Sequence, residues 1–562
     1  MQLRRIFCGL LAFLMVLSLS GCRNRDNEDQ NSEPDIMEED ELVIYHNNTA
    51  LSEGLIALTE EYSAATGKKV SAKLAGNDFM GEIEKSGAAL YVVDTKSDLS
   101  GMHSGGFFMD LLNNLGISKV ISNIPAGLQL NNTGLGSYGI PLMLEGYGYI
   151  FDREMLSDLF GGKKTDELVS DLKTCSFTEF EGFVAAVDTY ISSPSEAKIT
   201  LNGNEYTFAP EKTGKAKNLT GVFSLNYESH EASKALLSSA LASKFASRYE
   251  VLNAESEAVQ KLDSVLNAFT EALDLQTNHI AGAEGSISRG DEFTGGDYNY
   301  STAVDLFARG NALFYPGGTS DAADFEKSSE GFGKNLDIMP MKLPLSEEQV
   351  SAAGMTAEKL QSSIVIGSRY YLAINPEAKE NLSAAAKDFI NWLYSDEAGK
   401  TAYSSAFGGV PFNFEYLMSG TAEEQSPSSE PENSGDMTES GTVSPENSAP
   451  SGTSENSRTA PENSSVTESM PEENPEMVGP MNPSHKISGS LMESLAGYYS
   501  EGNWIPDLSF ALPADFSKNN IGESLSGYWG KESWSESDRK DFTDILIGGW
   551  KNLIDKDNAA VG

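Results

Sequence analysis

The stretch from Glu41 to Val70, "ELVIYHNNTALSEGLIALTEEYSAATGKKV", restricts the fold more than any other part of the chain. A short apolar run ends in polar residues, and Leu51, Leu55, Leu58 and Tyr62 then recur at helical spacing. Gly67 stops that helix, and a second strand starts near Val70. Strand, helix and strand in this order favour a parallel sheet, and so an α/β domain. Further on, "ALYVVDTKSD", "NALFYPGG" and "SSIVIGSRYYLAI" read as buried strands, while helical patterns dominate from about 160 to 310. One stretch there, "KITLNGNEYTFAP", alternates like a hairpin turning at Asn202 and Gly203. With 562 residues the chain is too long for one ordinary core, so two or more domains are expected.

Both flanks of this pattern lack anything to bury. Arg4 and Arg5 precede the apolar run "IFCGLLAFLMVLSL", which falls short of the ~20 residues a spanning helix needs and has the layout of a secretory signal. Leu19-Ser20-Gly21-Cys22 resembles a bacterial lipobox, in which the cysteine receives a diacylglycerol and becomes the mature N-terminus; an ordinary signal cut nearby is the alternative. Residues 1-21 are therefore expected to be a signal peptide and 22-41 an acidic tether. Of the other cysteines, Cys8 lies inside the signal. With Cys22 lipidated, Cys175 remains alone and no intramolecular disulfide can form.

Residues 421-483 carry "PENS" at 431, 445 and 461, with no aromatic residue, no lysine and only Arg458 as a base. Such a segment buries too little apolar surface to offset its ordering entropy, so it is expected to be a disordered acidic insertion. Globular patterning resumes beyond it in "SGSLMESLAGYYSEGNWIPDLSFALPADF". The formal net charge of -43 argues against a nucleic-acid partner.

Signatures of catalysis and metal binding are missing. His46, His103, His230, His279 and His485 are isolated, with no ligand spacing. "GLGSYG", Gly134 to Gly139, matches GxGxxG but precedes a strand instead of following one, and reads as a glycine-rich turn. Cys175 reads as an inert buried thiol. No metal, cofactor or catalytic residue is assigned, and the chain is expected not to be an enzyme. A surface glycosidase using Glu145 with Asp98 is the rival, although 83 acidic residues make any such pair unspecific.

The order of motifs resembles the extracellular solute-binding proteins of ABC importers, especially the sugar-binding, maltose type. "LVIYHNNTALSEGLIALTEEYSAATGKKV" is similar to that family's first strand and helix, and "YGIPLMLEGYGYIFDREML" to the phrase where the chain crosses between lobes. "FTEFEGFVAAV", "AVDLFARGNALFYPGG" and "AAKDFINWLYSDEAGKTAYSSAFGGVPF" resemble later family segments. The likeness covers residues 41 to 420 and 484 to 555. It implies a two-lobed α/β fold with a ligand cleft at the hinge, a carbohydrate ligand, an ABC permease partner in the membrane and a monomeric receptor. With lipid on Cys22, it also implies a place on the outer face of the cytoplasmic membrane of a Gram-positive cell. Lobe 1 is expected from 42-143 and 312-368, and lobe 2 from 144-311, 369-420 and 484-562. A binding protein for a peptide, polyamine or metal chelate, and an adhesion lipoprotein, stay open.

Sugar recognition needs polar groups for hydroxyls and aromatic faces for the ring. Phrase matching places Glu145 on the family's sugar-contacting glutamate, with a hinge acid as the alternative. It places Ser97 and Asp98 on the polar pair of the first cleft loop. Asn47 and Asn48 end the first strand, where they contact ligand or cap the next helix. Gly317, Gly318 and Thr319 follow the next expected crossing strand, where backbone approaches ligand or merely turns. Trp504 and Phe510 are the candidate aromatic platforms, with Tyr147 and Tyr315 behind them.

Overall fold

A computed structural model describes residues 41–76, 78–95, 99–130, 136–227, 231–329, 335–407, 489–509, 512 and 516–561. The expected signal peptide with Cys22, the tether and the PENS-rich insertion lie outside the described residues.

The opening folds as its pattern requires. Strand β1 (Leu42–His46) pairs in parallel with β2 (Val70–Leu74) across the helix Ser52–Thr66, which buries Leu55, Leu58 and Tyr62. Gly67 ends that helix at φ 71°, a left-handed conformation that costs glycine nothing. With β3 (Leu90–Asp94), β4 (Ile140–Pro141) and β14 (Tyr370–Ile374), these strands form a five-stranded sheet in the order β2-β1-β3-β14-β4. Alternation along β3 sends Leu90 and Val92 to one core and Tyr91 and Val93 to another, so both faces are covered.

A second sheet is built around β5 (Glu145–Asp152). On one side of β5 lies β11 (Ala312–Gly318), followed by β8 (Gly221–Phe223), β9 (Ile280–Ala281) and β10 (Ser286–Ile287). On its other side lie β12 (Leu336–Met339) and β13 (Ile364–Gly367), and β15 (Trp504–Pro506) pairs with β13. Tyr149, Phe180, Phe223 and Phe314 stack against one face of this sheet as an aromatic core. The predicted hairpin is present as β6 (Lys198–Leu201) and β7 (Asn204–Thr207), and Asn202 and Gly203 both take the positive φ such a turn demands.

The chain is thus a two-lobed α/β protein, but the strands are shared out differently from the expectation. The strands of 312–368, β11 to β13, belong to the second sheet with β5, and β14 belongs to the first. The sequence pattern reveals strands and not their partners. Pairing was settled by register, Gly318 opposite Tyr147 and Tyr370 opposite Asp94.

Two short connections join the sheets. Leu142 to Leu144 lead from β4 into β5, and Ser368 and Arg369 lead from β13 into β14. They run side by side: Gly367 faces Glu145 in one sheet, Tyr371 faces Pro141 in the other, and Leu142 N–H donates to Tyr370 O at 2.7 Å between them. Helices hold this ribbon from outside, since Tyr394 and Tyr403 hydroxyls donate to Pro141 O and Leu142 O. Leu495 of the helix Gly489–Glu501 packs where a Cβ on Gly146 would sit, 2.7 Å away.

Candidate functional site

Strand direction gathers chemistry at one place. β1 and β3 end, and β14 begins, at the edge of the first sheet that faces the ribbon; β5 begins, and β11, β13 and β15 end, at the matching edge of the second. Loops at strand ends converge there, where ligands of α/β sheets characteristically bind.

On the first sheet's edge, His46 is buried, its Nδ1 hydrogen-bonded to Asn48 O at 2.9 Å, and burial holds its pKa below the ordinary histidine value. Asn48 is half-buried and donates from Nδ2 to the Tyr370 hydroxyl at 2.8 Å, whereas Asn47 is exposed. Arg369, on the ribbon, packs over the Tyr370 ring and pairs with Asp94 at 3.1 Å. Asn48 is therefore tied at the strand end to Tyr370. Ser97 and Asp98 lie outside the described residues.

On the second sheet's edge, Glu145 opens β5 half-buried. Tyr147 donates its hydroxyl to Glu145 Oε2 at 2.6 Å, and Ser320 donates to Oε1. These two bonds orient the carboxylate. Gly317 and Gly318 end β11 directly beneath: a Cβ on Gly318 would stand 2.5 Å from Glu145 Oε1, so a side chain there would push the carboxylate out of this position. Thr319 is buried and its hydroxyl accepts from Gly146 N at 3.2 Å, which makes it a brace between β5 and β11 and not a surface contact.

Asp321, which sequence reasoning missed, completes this corner. It accepts from Gly318 N at 3.0 Å and from the Tyr300 hydroxyl at 2.9 Å, and Tyr300 also donates to Asp324. Burial, then the negative charge of Glu145, pushes the Asp321 pKa up to about 7. Its only signal was "GGTSDAAD", an acid just beyond a glycine turn, which reads equally as a helix start.

The aromatic expectations divide. Trp504 is half-buried, stacked on Tyr499 at 5.7 Å, with its ring edge 3.7 Å from where a Gly127 Cβ would sit. Tyr315 is corrected from platform to core: its ring is packed against Phe307 and Phe325, because alternation along β11 turns it away from the loops. Tyr147 is also buried and serves Glu145 through its hydroxyl. Phe510 lies outside the described residues. Cys175 is fully buried, and burial pushes its thiol up to about 11, an unreactive state.

Among the described residues no cluster of three metal-ligating side chains occurs, and no helix is long and apolar enough to cross a membrane. What the corner offers is paired hydroxyl and carboxylate groups flanked by backbone open at glycine, a set suited to holding a polar solute.

Residues 57–426 match the family described as bacterial extracellular solute-binding protein, more than half of the chain. No curated protein matches it by sequence. Among solved structures, RafE from Streptococcus pneumoniae aligns at 13% identity and a TM-score of 0.51, covering 91% of this chain and 97% of that one. The raffinose complex of RafE aligns at 12% and 0.50, covering 91% and 99%. A probable secreted solute-binding lipoprotein from Streptomyces coelicolor aligns at 12% and 0.52, covering 92% and 99%. At these identities the solved structures establish the fold, and the family match establishes kinship: the chain belongs to the bacterial extracellular solute-binding proteins.

Proposed function

We propose that the protein is the receptor of an ABC importer, which captures a carbohydrate, in particular an oligosaccharide, between its two lobes and delivers it to a membrane permease. The observation that carries this reading is Glu145, an acid at the crossing between the sheets, oriented by two hydroxyls and bordered by two glycines. Such a carboxylate accepts strongly from sugar hydroxyls. The likeness to a raffinose-bound receptor and to AcbH, a bacterial solute receptor with an exclusive preference for β-D-galactopyranose, supports the sugar class. Glu145, Asn47, Asn48, Ser97, Asp98, Gly317 and Gly318 are the proposed contacts, with Trp504 and Phe510 as ring platforms. Ligand that touches both lobes only when they close shifts an existing open-closed equilibrium, and no bond chemistry is needed. We place the protein at the cell surface, held by lipid on Cys22, where two acyl chains anchor durably at roughly 0.8 kcal/mol per buried CH₂.

A thermal-shift screen of raffinose, galactose and malto-oligosaccharides tests the ligand class. A sugar present at 100 times its Kd is expected to add about 2.7 kcal/mol of stability. Absence of any shift across the panel removes the carbohydrate reading. Prolonged incubation is expected to leave the glycan intact; released reducing ends would favour the glycosidase.

With a responsive sugar in hand, Glu145→Gln is expected to weaken binding by roughly tenfold, the loss of one hydrogen bond to a charged group. The melting temperature without ligand is expected to hold, since Gln keeps an acceptor and its amide can donate to a hydroxyl oxygen. Unchanged affinity would make Glu145 a hinge acid.

A further inference from the structure

Arg248 stands on the short helix Arg248–Leu252, whose Val251 is part of the second sheet's core. It is 5% exposed. Its Nε donates to Asp507 O at 2.8 Å, immediately after β15. The Asp507 carboxylate is itself fixed by the Ser238 hydroxyl at 2.6 Å and by Ser509 N and Oγ at 3.0 and 2.7 Å. The guanidinium is thus rigidly mounted on the second lobe. Its Nη1 reaches the other lobe and donates at 2.8 Å to the hydroxyl of Tyr371, a fully buried residue of β14 whose backbone is paired with Val93 and Pro141.

We propose that Arg248 is a positioning residue that holds the two lobes together in the absence of ligand, through its hydrogen bond to Tyr371. The inference rests on the lobe-closure reading above. The physical case is that the bond ties a helix of the second lobe to β14 of the first, beside the covalent connection at Gly367. Its donor is charged and its surroundings are dry, so separating the lobes leaves a guanidinium N–H to find water in a narrow space. Gly367 permits this placement: a Cβ there would sit 3.0 Å from Asp507 Cβ and 3.9 Å from Arg248 Nη2. A bond of this kind sets the resting population of closed protein, and with it the affinity that any ligand displays.

The test uses the full chain without ligand, so its outcome does not depend on whether a sugar is found. Tyr371→Phe removes only the hydroxyl and leaves the ring packed. Hydrogen exchange is expected to quicken about tenfold in the ribbon, over residues 140–145 and 364–371, while the amides of β3 and of the β5–β11 pairing keep their wild-type rates. The scattering radius of gyration is expected to rise. Arg248→Lys is expected to act likewise, because an ammonium lacks the planar fork that serves Asp507 O and Tyr371 together. Unchanged ribbon exchange in both variants overturns the proposal. Equal acceleration of every amide also overturns it, since the pair would then be an ordinary part of the core. Failure of the sugar screen, by contrast, leaves these rates untouched.

Discussion

Replacing Asp337 with alanine is expected to lower stability by about 3 kcal/mol, measured by denaturant unfolding. Asp337 sits in β12 at 3% exposure and gathers three elements. It accepts from Arg153 Nη1 at 2.8 Å, from Lys173 Nζ at 2.7 Å and from the Ser494 hydroxyl at 2.6 Å. Removing the acid strands two cations beside a buried strand, although Arg153 retains Asp166 and is a third exposed, which moderates the loss. Ser494 gives the effect a functional side. It belongs to the helix Gly489–Glu501, which leads straight into β15, Trp504 and Asp507. Asp337→Ala is therefore expected to loosen that segment first, with faster exchange over 489–506 than over β1 to β3. Asp337→Asn, which keeps the shape and loses the charge, is expected to fall between. A cost under about 0.5 kcal/mol would place Asp337 among surface pairs that contribute little.

The second large effect concerns pH. Asp321 titrates near 7 when folded and near the ordinary aspartate value when unfolded, because burial and then the charge of Glu145 disfavour its ionised form. Between about pH 4 and pH 7 the folded protein holds a proton that the unfolded chain has released. Its contribution to stability is thus complete below pH 4, falls by about 2–4 kcal/mol as pH rises to 7, and is flat beyond. Asp324 and Tyr300 face the same group, Tyr300 as a neutral donor to both acids. Asp321→Asn is expected to abolish this slope and to leave the variant more stable than the wild type at pH 8. Parallel stability profiles for the two proteins would contradict the shift.

How much of this was legible beforehand depended on the range of the interaction. The opening strand, helix and strand, the turn at Asn202 and Gly203 and the helix stop at Gly67 are local conformations, and each left its residue type in the sequence. Glu145 was legible as an acid in an apolar run, and its company of Gly317 and Gly318 followed from the family resemblance. The lobe membership of β11 to β14 was not legible, because strand pairing lives in register and crossing order. Tyr315 was misplaced because one tyrosine in a strand reads the same from either face, and only its neighbours Phe307 and Phe325 decide. Arg248 and Asp507 lie 259 positions apart and carry no local signature. The expectations at Ser97, Asp98 and Phe510 fall outside the described residues.

The two connections between the sheets have a mechanical consequence. Two antiparallel straps lying side by side define a line: rotation about that line stretches neither, whereas twisting or sliding the lobes strains both. Rotation about that line is therefore the motion these two connections resist least. Displacement then grows with distance from the line and is least at Leu142 and Tyr370. One distance between a position on each lobe, both far from the line, then follows this rotation.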